Sequence, residues 1–200
     1  MPLLLGQGGW ILIAILLSSF TGWLILVYKW IAIRSEKRTI SEWTEVVLEK
    51  MKDQEVPDAV RVCCEHPSIL GRVLNTAIGS QGLRRGMFEK QMTRFVDAEM
   101  SKLKRGLGLV SRLAVLSPLL GLLGTVVGLV ETFDVITVYG SNDSMLLADG
   151  IGQALLTTQV GIIAALPLIV LHHWLQSSAN RVEDSARLHV KKTEIILCKV

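Results

Sequence analysis

Two apolar segments of the chain carry small and hydroxyl-bearing residues at regular spacing. In the first segment the offsets are four, three and four residues, which places one set on a single helix face: Gly121, Thr125, Gly128 and Thr132. The second segment has a similar set, Gly150, Ala154, Thr157, Gly161 and Ala165, with Gln153 and Thr158 at the edges of its face. These residue types can either pack helices closely or line a polar path.

Each possibility has a physical basis. Small faces let membrane helices approach closely, with threonine hydroxyls bonding across the contact. Alternatively, the hydroxyls line a wet path, because polar groups inside a membrane usually face a bundle interior or a cavity. The pore interpretation assigns eight lining residues: Thr125, Thr158, Gly121, Gly128, Thr132, Gln153, Thr157 and Gly161.

Neither stripe contains a titratable residue, although a proton relay normally needs a group that gains and loses charge. A proton-conducting version would therefore require a carboxylate from a partner helix. Glu131, Asp134 and Asp149 lie at the outer ends of the two segments and could concentrate cations there, although solvated loop charges are the simpler interpretation. His172 and His173 mark the inner end of the second segment, as interfacial anchors or as an exit-side relay.

Enzyme motifs are missing: the sequence has no Gly-x-Ser-x-Gly, His-Glu-x-x-His, phosphate loop or dinucleotide fingerprint. We therefore expect no enzyme activity, no catalytic residue and no cofactor. Cys63, Cys64 and His66 are crowded enough to suggest a metal, but no second ligand pair follows at finger-like spacing, so no metal site is predicted. With Cys198, these cysteines are expected to be reduced thiols on the cytoplasmic side.

The distribution of charge predicts an all-α integral membrane protein with three transmembrane helices. No charged side chain occurs in residues 1–28, 113–130 or 150–171, and each stretch can hold the roughly 17 to 25 residues that a crossing requires. The first stretch could instead be a signal peptide. It has no basic residue before its apolar part and no small-residue cleavage site after it, so we interpret it as a retained helix.

Basic residues give the expected orientation. All 21 Lys and Arg residues fall within 29–112 or 181–199, whereas residues 131–149 contain four acids and no base. Because basic flanks of membrane helices stay cytoplasmic, the N-terminus and the acidic loop are expected outside, with the C-terminus inside. The formal charge of +3 therefore reflects topology, and a nucleic-acid partner is not expected.

The expected segments follow from these patterns. They are transmembrane helix 1 (1–33), a cytoplasmic helical region (34–105), transmembrane helix 2 (106–133), a short periplasmic loop (134–145), transmembrane helix 3 (146–174) and a cytoplasmic C-terminal helix (175–200). Short helices are predicted from Thr39, which has capping-box spacing with Glu42, to about Lys52, from Pro57 to Cys64, and from Ser68 to Ala77. The amphipathic pattern from Phe88 has no strong stop, so we expect one long helix that runs on through the second crossing to about Phe133, with a possible kink at Pro118.

At the two small-residue stripes the sequence resembles the MotA/TolQ/ExbB proton-channel family, above all its ExbB and TolQ branches. Residues 117–128 read SPLLGLLGTVVG, similar to the signature of the family's second membrane helix. Residues 148–167 read ADGIGQALLTTQVGIIAALP, similar to the signature of its third helix. The expected architecture also matches over nearly the whole chain.

The resemblance implies a pentamer in the bacterial inner membrane whose second and third helices line a pore. The pore would hold two copies of an ExbD-like subunit, whose single membrane helix brings an essential aspartate, and proton flow would energise a TonB-like protein. Thr125 and Thr158 match the family's pore threonines, and Pro118 and Pro167 would shape the pore helices. The Tol envelope system is the nearest alternative role, and a non-conducting oligomeric scaffold is the alternative from another class.

One position departs from the family pattern. Many ExbB and TolQ sequences have a glutamate where this chain has Gln153, which cannot titrate. Either the role of that glutamate is dispensable in this branch, or the coupling ion or its path differs. The choice between proton and sodium therefore stays open at this stage.

Overall fold

The computed structural model describes residues 9–39, 43–53, 55–65, 68–80, 82, 84–139 and 144–197. All elements in these ranges are helices: α1 Gly9–Thr39, α2 Trp43–Lys52, α3 Val56–Glu65, α4 Ile69–Gly79, α5 Arg85–Lys104, α6 Leu107–Tyr139 and α7 Ser144–Leu197. The all-helical prediction is confirmed for this part of the chain. Glu42, His66, Asp143 and Cys198 lie outside the described residues.

Three helices are long and apolar enough to cross a membrane. The stretches that meet both conditions are Gly9–Glu36, Leu107–Val138 and Ala148–Ile196. They overlap the three crossings expected from the sequence, and each is longer than the roughly 20 helical residues that the hydrocarbon core of a bilayer needs. The helix of the third crossing continues without a break to Leu197, so α7 has 54 residues in all and joins the two segments expected at 146–174 and 175–200.

The expectation of one uninterrupted helix from Phe88 through the second crossing is wrong. The helix α5 ends at Lys104, and α6 begins at Leu107. Arg105 has an extended ψ of 127°, and Gly106 has a φ of +96°, a left-handed conformation that favours glycine because it has no Cβ. The Gly106 carbonyl then accepts hydrogen bonds from the Leu109 and Val110 amides, which starts the new helix. The helix α6 also ends at Tyr139, whereas the sequence pattern predicted a helix end near Phe133.

The chain divides into two compact units. The first contains α1 as far as Val27, α6, and α7 as far as Trp174. Inside it α1 packs against the other two helices: the Ser18 and Ser117 hydroxyls lie 3.5 Å apart, and a Cβ on Gly22 would lie 3.2 Å from Leu168 Cδ1. Most large side chains on the outer surface of this unit are apolar and exposed, as expected for lipid or for further protein.

The second unit contains residues 28–105 and 175–200. Its core is built from buried aliphatic and methionine side chains of several helices, among them Val47, Leu70, Leu74, Met92 and Val96. The N-terminus of α4 is capped twice. Ser68 Oγ accepts from the Gly71 amide, and the Glu36 carboxylate accepts from the Ile69 amide, so two otherwise unsatisfied donors are paired.

Candidate functional site

The two small-residue stripes face each other across the contact between α6 and α7, which we call the seam. Its layers run antiparallel: Ser117 and Gly121 lie opposite Gly161, Gly124 opposite Thr157, Gly128 opposite Ala154, and Thr132 opposite Gly150. A Cβ on Gly161 would lie 2.7 Å from the Ser117 carbonyl oxygen, and one on Gly121 would lie 2.9 Å from Thr158 Cα. Glycine is required at both places because the opposing atoms belong to the backbone.

Burial follows the seam. Thr132, Ala154 and Thr157 are buried, as are Gly121 and Gly161. Thr132 donates to the Gly128 carbonyl in its own helix at 2.7 Å. Within the protomer, the close packing proposed in the first interpretation thus accounts for these residues, while their role in lining a pore stays a prediction.

A group of hydroxyls converges on two consecutive carbonyls of α6. The Gly121 carbonyl oxygen accepts a hydrogen bond from Thr158 Oγ1 at 2.8 Å and lies 3.2 Å from Thr157 Oγ1, which also bonds to the Ala154 carbonyl at 2.7 Å. Thr125 Oγ1 donates to the next carbonyl, that of Leu122, at 2.7 Å. Three hydroxyl oxygens and two carbonyl oxygens thus form a polar group within segments that carry no charge.

Thr125 and Thr158 differ from Thr157 in exposure. Thr157 is only 6% exposed, whereas Thr125 and Thr158 are half-buried at the edge of the seam. Each hydroxyl hydrogen of these two residues is used in a bond to a carbonyl, which leaves the lone pairs of the oxygen as the available polar group. The edge of the seam therefore offers hydrogen-bond acceptors to whatever lies against it.

The acidic residues predicted at the outer mouth, and Gln153 near them, lie outside the closely packed seam. Gln153 is exposed, lies outside the seam and donates from Nε2 to Asp149 Oδ2 at 2.9 Å. Glu131 is half-buried, and its Oε1 has no hydrogen-bond partner among the described residues, while Asp134 is exposed. The amide at position 153 thus orients a carboxylate one helical turn away.

Pro118 and Pro167 lie inside α6 and α7, where each removes one backbone donor from its helix.

At the other end of the first unit, the His172 and His173 rings lie edge to face with centroids 5.8 Å apart. Within the described residues no group of three or more His, Cys, Asp and Glu side chains could hold a metal ion.

The second unit carries ion pairs rather than a polar cluster in apolar surroundings. Glu99 is 5% exposed and accepts from Arg72 at 2.6 Å and from Lys102 at 2.6 Å. Burial by itself raises the pKa of Glu99. The two bonded cations, Arg72 and Lys102, together lower it by more, so the pKa of Glu99 lies below its usual range. Burial also raises the pKa of the Cys63 thiol to about 11, whereas its neighbour Cys64 is exposed.

A family model matches residues 65–187, which include the whole seam and more than half of the chain. The chain belongs to the MotA/TolQ/ExbB proton channel family. The family match does not extend over α1 and α2, so the first crossing is placed by the apolarity of its helix and not by this comparison.

Individual relatives agree with the family. An ExbB homolog of Methanothermobacter thermautotrophicus is 30% identical over 75% of this chain and 50% of its own length. The biopolymer transport protein ExbB of Salmonella typhimurium is 24% identical over 82% of this chain and 70% of its own, and TolQ of Haemophilus influenzae is 28% identical over 48% and 42%. The chain spans about half the length of several curated relatives that it matches.

The sequence prediction of the stripe did not include one residue of the seam, Ser117. Ser117 is fully buried, donates to the Leu113 carbonyl and presents its own carbonyl to Gly161. It precedes Gly121 by four residues and so continues the first stripe by one turn. This spacing is the signal in the sequence that identifies Ser117 as part of the stripe.

Proposed function

We propose that this chain is an ExbB-like channel and stator subunit of the bacterial inner membrane. With an ExbD-like partner it converts the proton motive force into mechanical work for TonB-dependent outer-membrane transport. Family membership and the three apolar helices support this role. The observation that carries it is the group of three hydroxyls at the Gly121 and Leu122 carbonyls, two of which are accessible at the edge of the seam.

The proposed arrangement places several copies, five by analogy with the family, around a pore. Transmembrane helices 2 and 3 face the pore, with Thr125, Thr158 and Gln153 nearest to it. The N-terminus is periplasmic, and the basic region and the C-terminus are cytoplasmic, as the distribution of Lys and Arg favours. Glu131, Asp134 and Asp149 then lie at the periplasmic mouth, where their charges attract cations.

The missing proton carrier gives the reason for a partner. Neither stripe contains a carboxylate, so a single-helix subunit must supply one opposite the threonines. A TolQ-like role in the Tol envelope system requires the same geometry and differs only in the protein that is driven. Sodium remains an alternative ion, because hydroxyl and carbonyl oxygens also coordinate it.

A second candidate is a non-conducting oligomeric scaffold. The burial of Thr132 and Thr157 and the backbone contacts of Gly121 and Gly161 favour it, since packing within the protomer accounts for all of them. The two candidates differ at Thr125 and Thr158. A scaffold tolerates valine at both positions, because valine keeps the shape and only removes the hydroxyl.

The test is proton flux into liposomes that contain the protein and its ExbD-like partner, under an imposed pH gradient and membrane potential. Thr125→Val and Thr158→Val should lower partner-dependent flux by about tenfold or more, while Thr137→Val should not. Thr137 is a matched control because its hydroxyl also bonds to the carbonyl three residues earlier, at 2.8 Å, and it is exposed outside the stripe.

Each outcome separates the candidates. Flux that is unaffected by both variants contradicts the role of the threonines. No flux of either ion, in vesicles shown to contain the assembled complex, favours the scaffold. Flux of sodium but not of protons keeps the channel and reassigns the ion.

A further inference from the structure

Two oppositely charged surfaces of the second unit form no salt bridge with any other part of the chain that the structure describes. The acidic stripe consists of Glu45, Glu49 and Asp53, spaced four residues apart along one exposed face of α2. The Asp53 amide bonds to the Glu49 carbonyl, so Asp53 continues the register of the helix. Val46, 42% exposed, lies next to this stripe.

The basic groove lies between α4 and α5. It has a volume of about 550 Å³, and its lining includes Lys90 and Arg94, which are four residues apart, together with Met87, Phe95 and Thr76. Met87 is 61% exposed, although methionine is usually buried. The groove thus combines two cations with an apolar floor.

Some charged side chains of the second unit pair with each other, and others do not. Arg72 pairs with Glu99, Lys104 with Glu183, and Arg85 with Glu194. Among the described residues, by contrast, none of the five charges of the stripe and the groove forms a salt bridge: Glu45, Glu49, Asp53, Lys90 and Arg94.

We propose that the acidic stripe of one copy docks in the basic groove of the next copy. Both surfaces carry charges at a spacing of four residues, about 6 Å along a helix, so two carboxylates can meet two cations in register. The apolar neighbours, Val46 on one side and Met87 on the other, come together in the same contact. This inference rests on the homo-oligomer of the proposed function and names the surface that forms it.

The pairing of unlike surfaces also has a geometric consequence. Each copy offers one stripe and one groove, so the contact is heterologous, and copies add head to tail until a ring closes. An anionic lipid headgroup or an acidic peptide from another protein could also occupy the groove. Neither would require the acidic stripe, and this difference decides the test.

Cross-linking between two single-cysteine variants tests the contact directly. In a background with Cys63→Ala, Cys64→Ser and Cys198→Ser, we would make Glu49→Cys and Arg94→Cys and treat the membranes with a bismaleimide that spans about 10 Å. A mixture of the two variants, coexpressed in one membrane, should give dimers, whereas either variant alone should give few. A chain with both cysteines should give a ladder up to the full ring.

Charge reversal provides the second test, with oligomer size measured by native mass spectrometry. Lys90→Glu with Arg94→Glu should weaken assembly by about tenfold, and Glu49→Lys with Asp53→Lys should do the same. Combining all four changes should restore assembly, because the pairs are exchanged. The matched controls Arg181→Glu and Asp184→Lys, exposed charges outside both surfaces, should leave it unchanged.

The outcomes separate this inference from the proposed function. If wild type forms oligomers and conducts ions but the mixed cysteines do not cross-link, the docking surface is wrong and the channel stands. If either cysteine variant cross-links with itself as efficiently as the mixture, the contact is not head to tail. Loss of assembly from reversal of the groove alone, without rescue by the stripe, would assign the groove to a lipid or to another protein. A wild type that stays monomeric in membranes contradicts the homo-oligomer itself.

Discussion

The close approach of α6 and α7 can be tested with two glycines of the same helix. Gly161 faces the Ser117 carbonyl, whereas a Cβ on Gly152 would meet no heavy atom within 4 Å. Both lie inside α7, so replacing either with alanine improves helix propensity by a similar amount, about 0.5–1 kcal/mol. Any difference between the two variants therefore reports the packing at the seam.

The size of the effect follows from the distances. A Cβ on Gly161 would lie 2.7 Å from the Ser117 oxygen and 3.2 Å from Gly121 Cα, while ordinary contacts of these atoms begin at about 3.3 Å. The helices would have to separate locally by roughly 0.5 Å, and overpacking of this kind costs about 1–3 kcal/mol. We expect Gly161→Ala to be less stable than wild type by about 0.5–2 kcal/mol and Gly152→Ala to be equal or more stable.

The assay is thermal or denaturant unfolding of the purified variants in one detergent, followed by circular dichroism. For a chain of this size the difference between the variants corresponds to several degrees in Tm, at roughly 2–4 °C per kcal/mol. The stability of Gly161→Ala should also fall further with a larger side chain, as in Gly161→Val. If Gly161→Ala is as stable as Gly152→Ala, the helices do not approach as closely as the structure indicates.

Three further predictions concern residues outside the seam. Glu99→Gln should lower stability by about 1–3 kcal/mol at pH 7, because two charge-assisted bonds are lost. Since the folded-state pKa of Glu99 is lowered, its contribution is present above the unfolded pKa and disappears as pH falls through the folded pKa, so the variant should show a flatter acid limb in unfolding measured against pH. With Cys198→Ala as background, a maleimide at pH 7.5 should label Cys64 and spare Cys63, as read by mass spectrometry. Gly106→Ala should lower the unfolding free energy by about 1–2 kcal/mol, because alanine is strained at a φ of +96°.

Each of these has a result that would contradict it. An acid limb unchanged by Glu99→Gln would mean that the carboxylate is not paired in solution. Equal labelling of both cysteines would mean that Cys63 is accessible. Normal stability of Gly106→Ala would indicate that α5 and α6 join as one helix after all, as the sequence pattern had suggested.

The sequence was informative wherever the membrane imposes a pattern. The gaps in charge located three apolar helices, and the spacing of small residues placed Gly121, Thr157 and Gly161 on helix faces that the structure brings together. The family resemblance, stated from the same residues, is confirmed by the match to residues 65–187. These features could be predicted because a membrane helix must satisfy its own backbone, which restricts the possible structures.

The sequence did not predict two kinds of feature: a break that depends on local backbone geometry, and the hydrogen-bond partners of the threonines. Nothing in the periodicity around Lys104 reveals the break, since a lone glycine is tolerated inside helices and only its φ shows that Gly106 ends one. The spacing of the threonines predicted that they share a helix face, but it did not predict which carbonyl groups their hydroxyls would bond to. Thr157 and Thr158 are neighbours in sequence, yet one is buried and the other lies at the edge, and that distinction depends on the angle at which α6 crosses α7.

The bonding at the edge of the seam places a constraint on the proposed channel. The Thr158 hydroxyl donates its hydrogen to the Gly121 carbonyl, and the Thr125 hydroxyl donates its hydrogen to the Leu122 carbonyl. The two hydroxyl oxygens therefore present only lone pairs to a neighbouring helix. A protonated carboxyl group of the partner can donate to them, whereas a carboxylate would meet only acceptors and be disfavoured. On the proposed function, the threonines therefore stabilise the neutral form of the partner's acid. Thr158→Val should then lower the pKa of that acid in the assembled complex, measured by infrared absorption of its carboxyl group against pH. An unchanged pKa would mean that Thr158 serves packing alone.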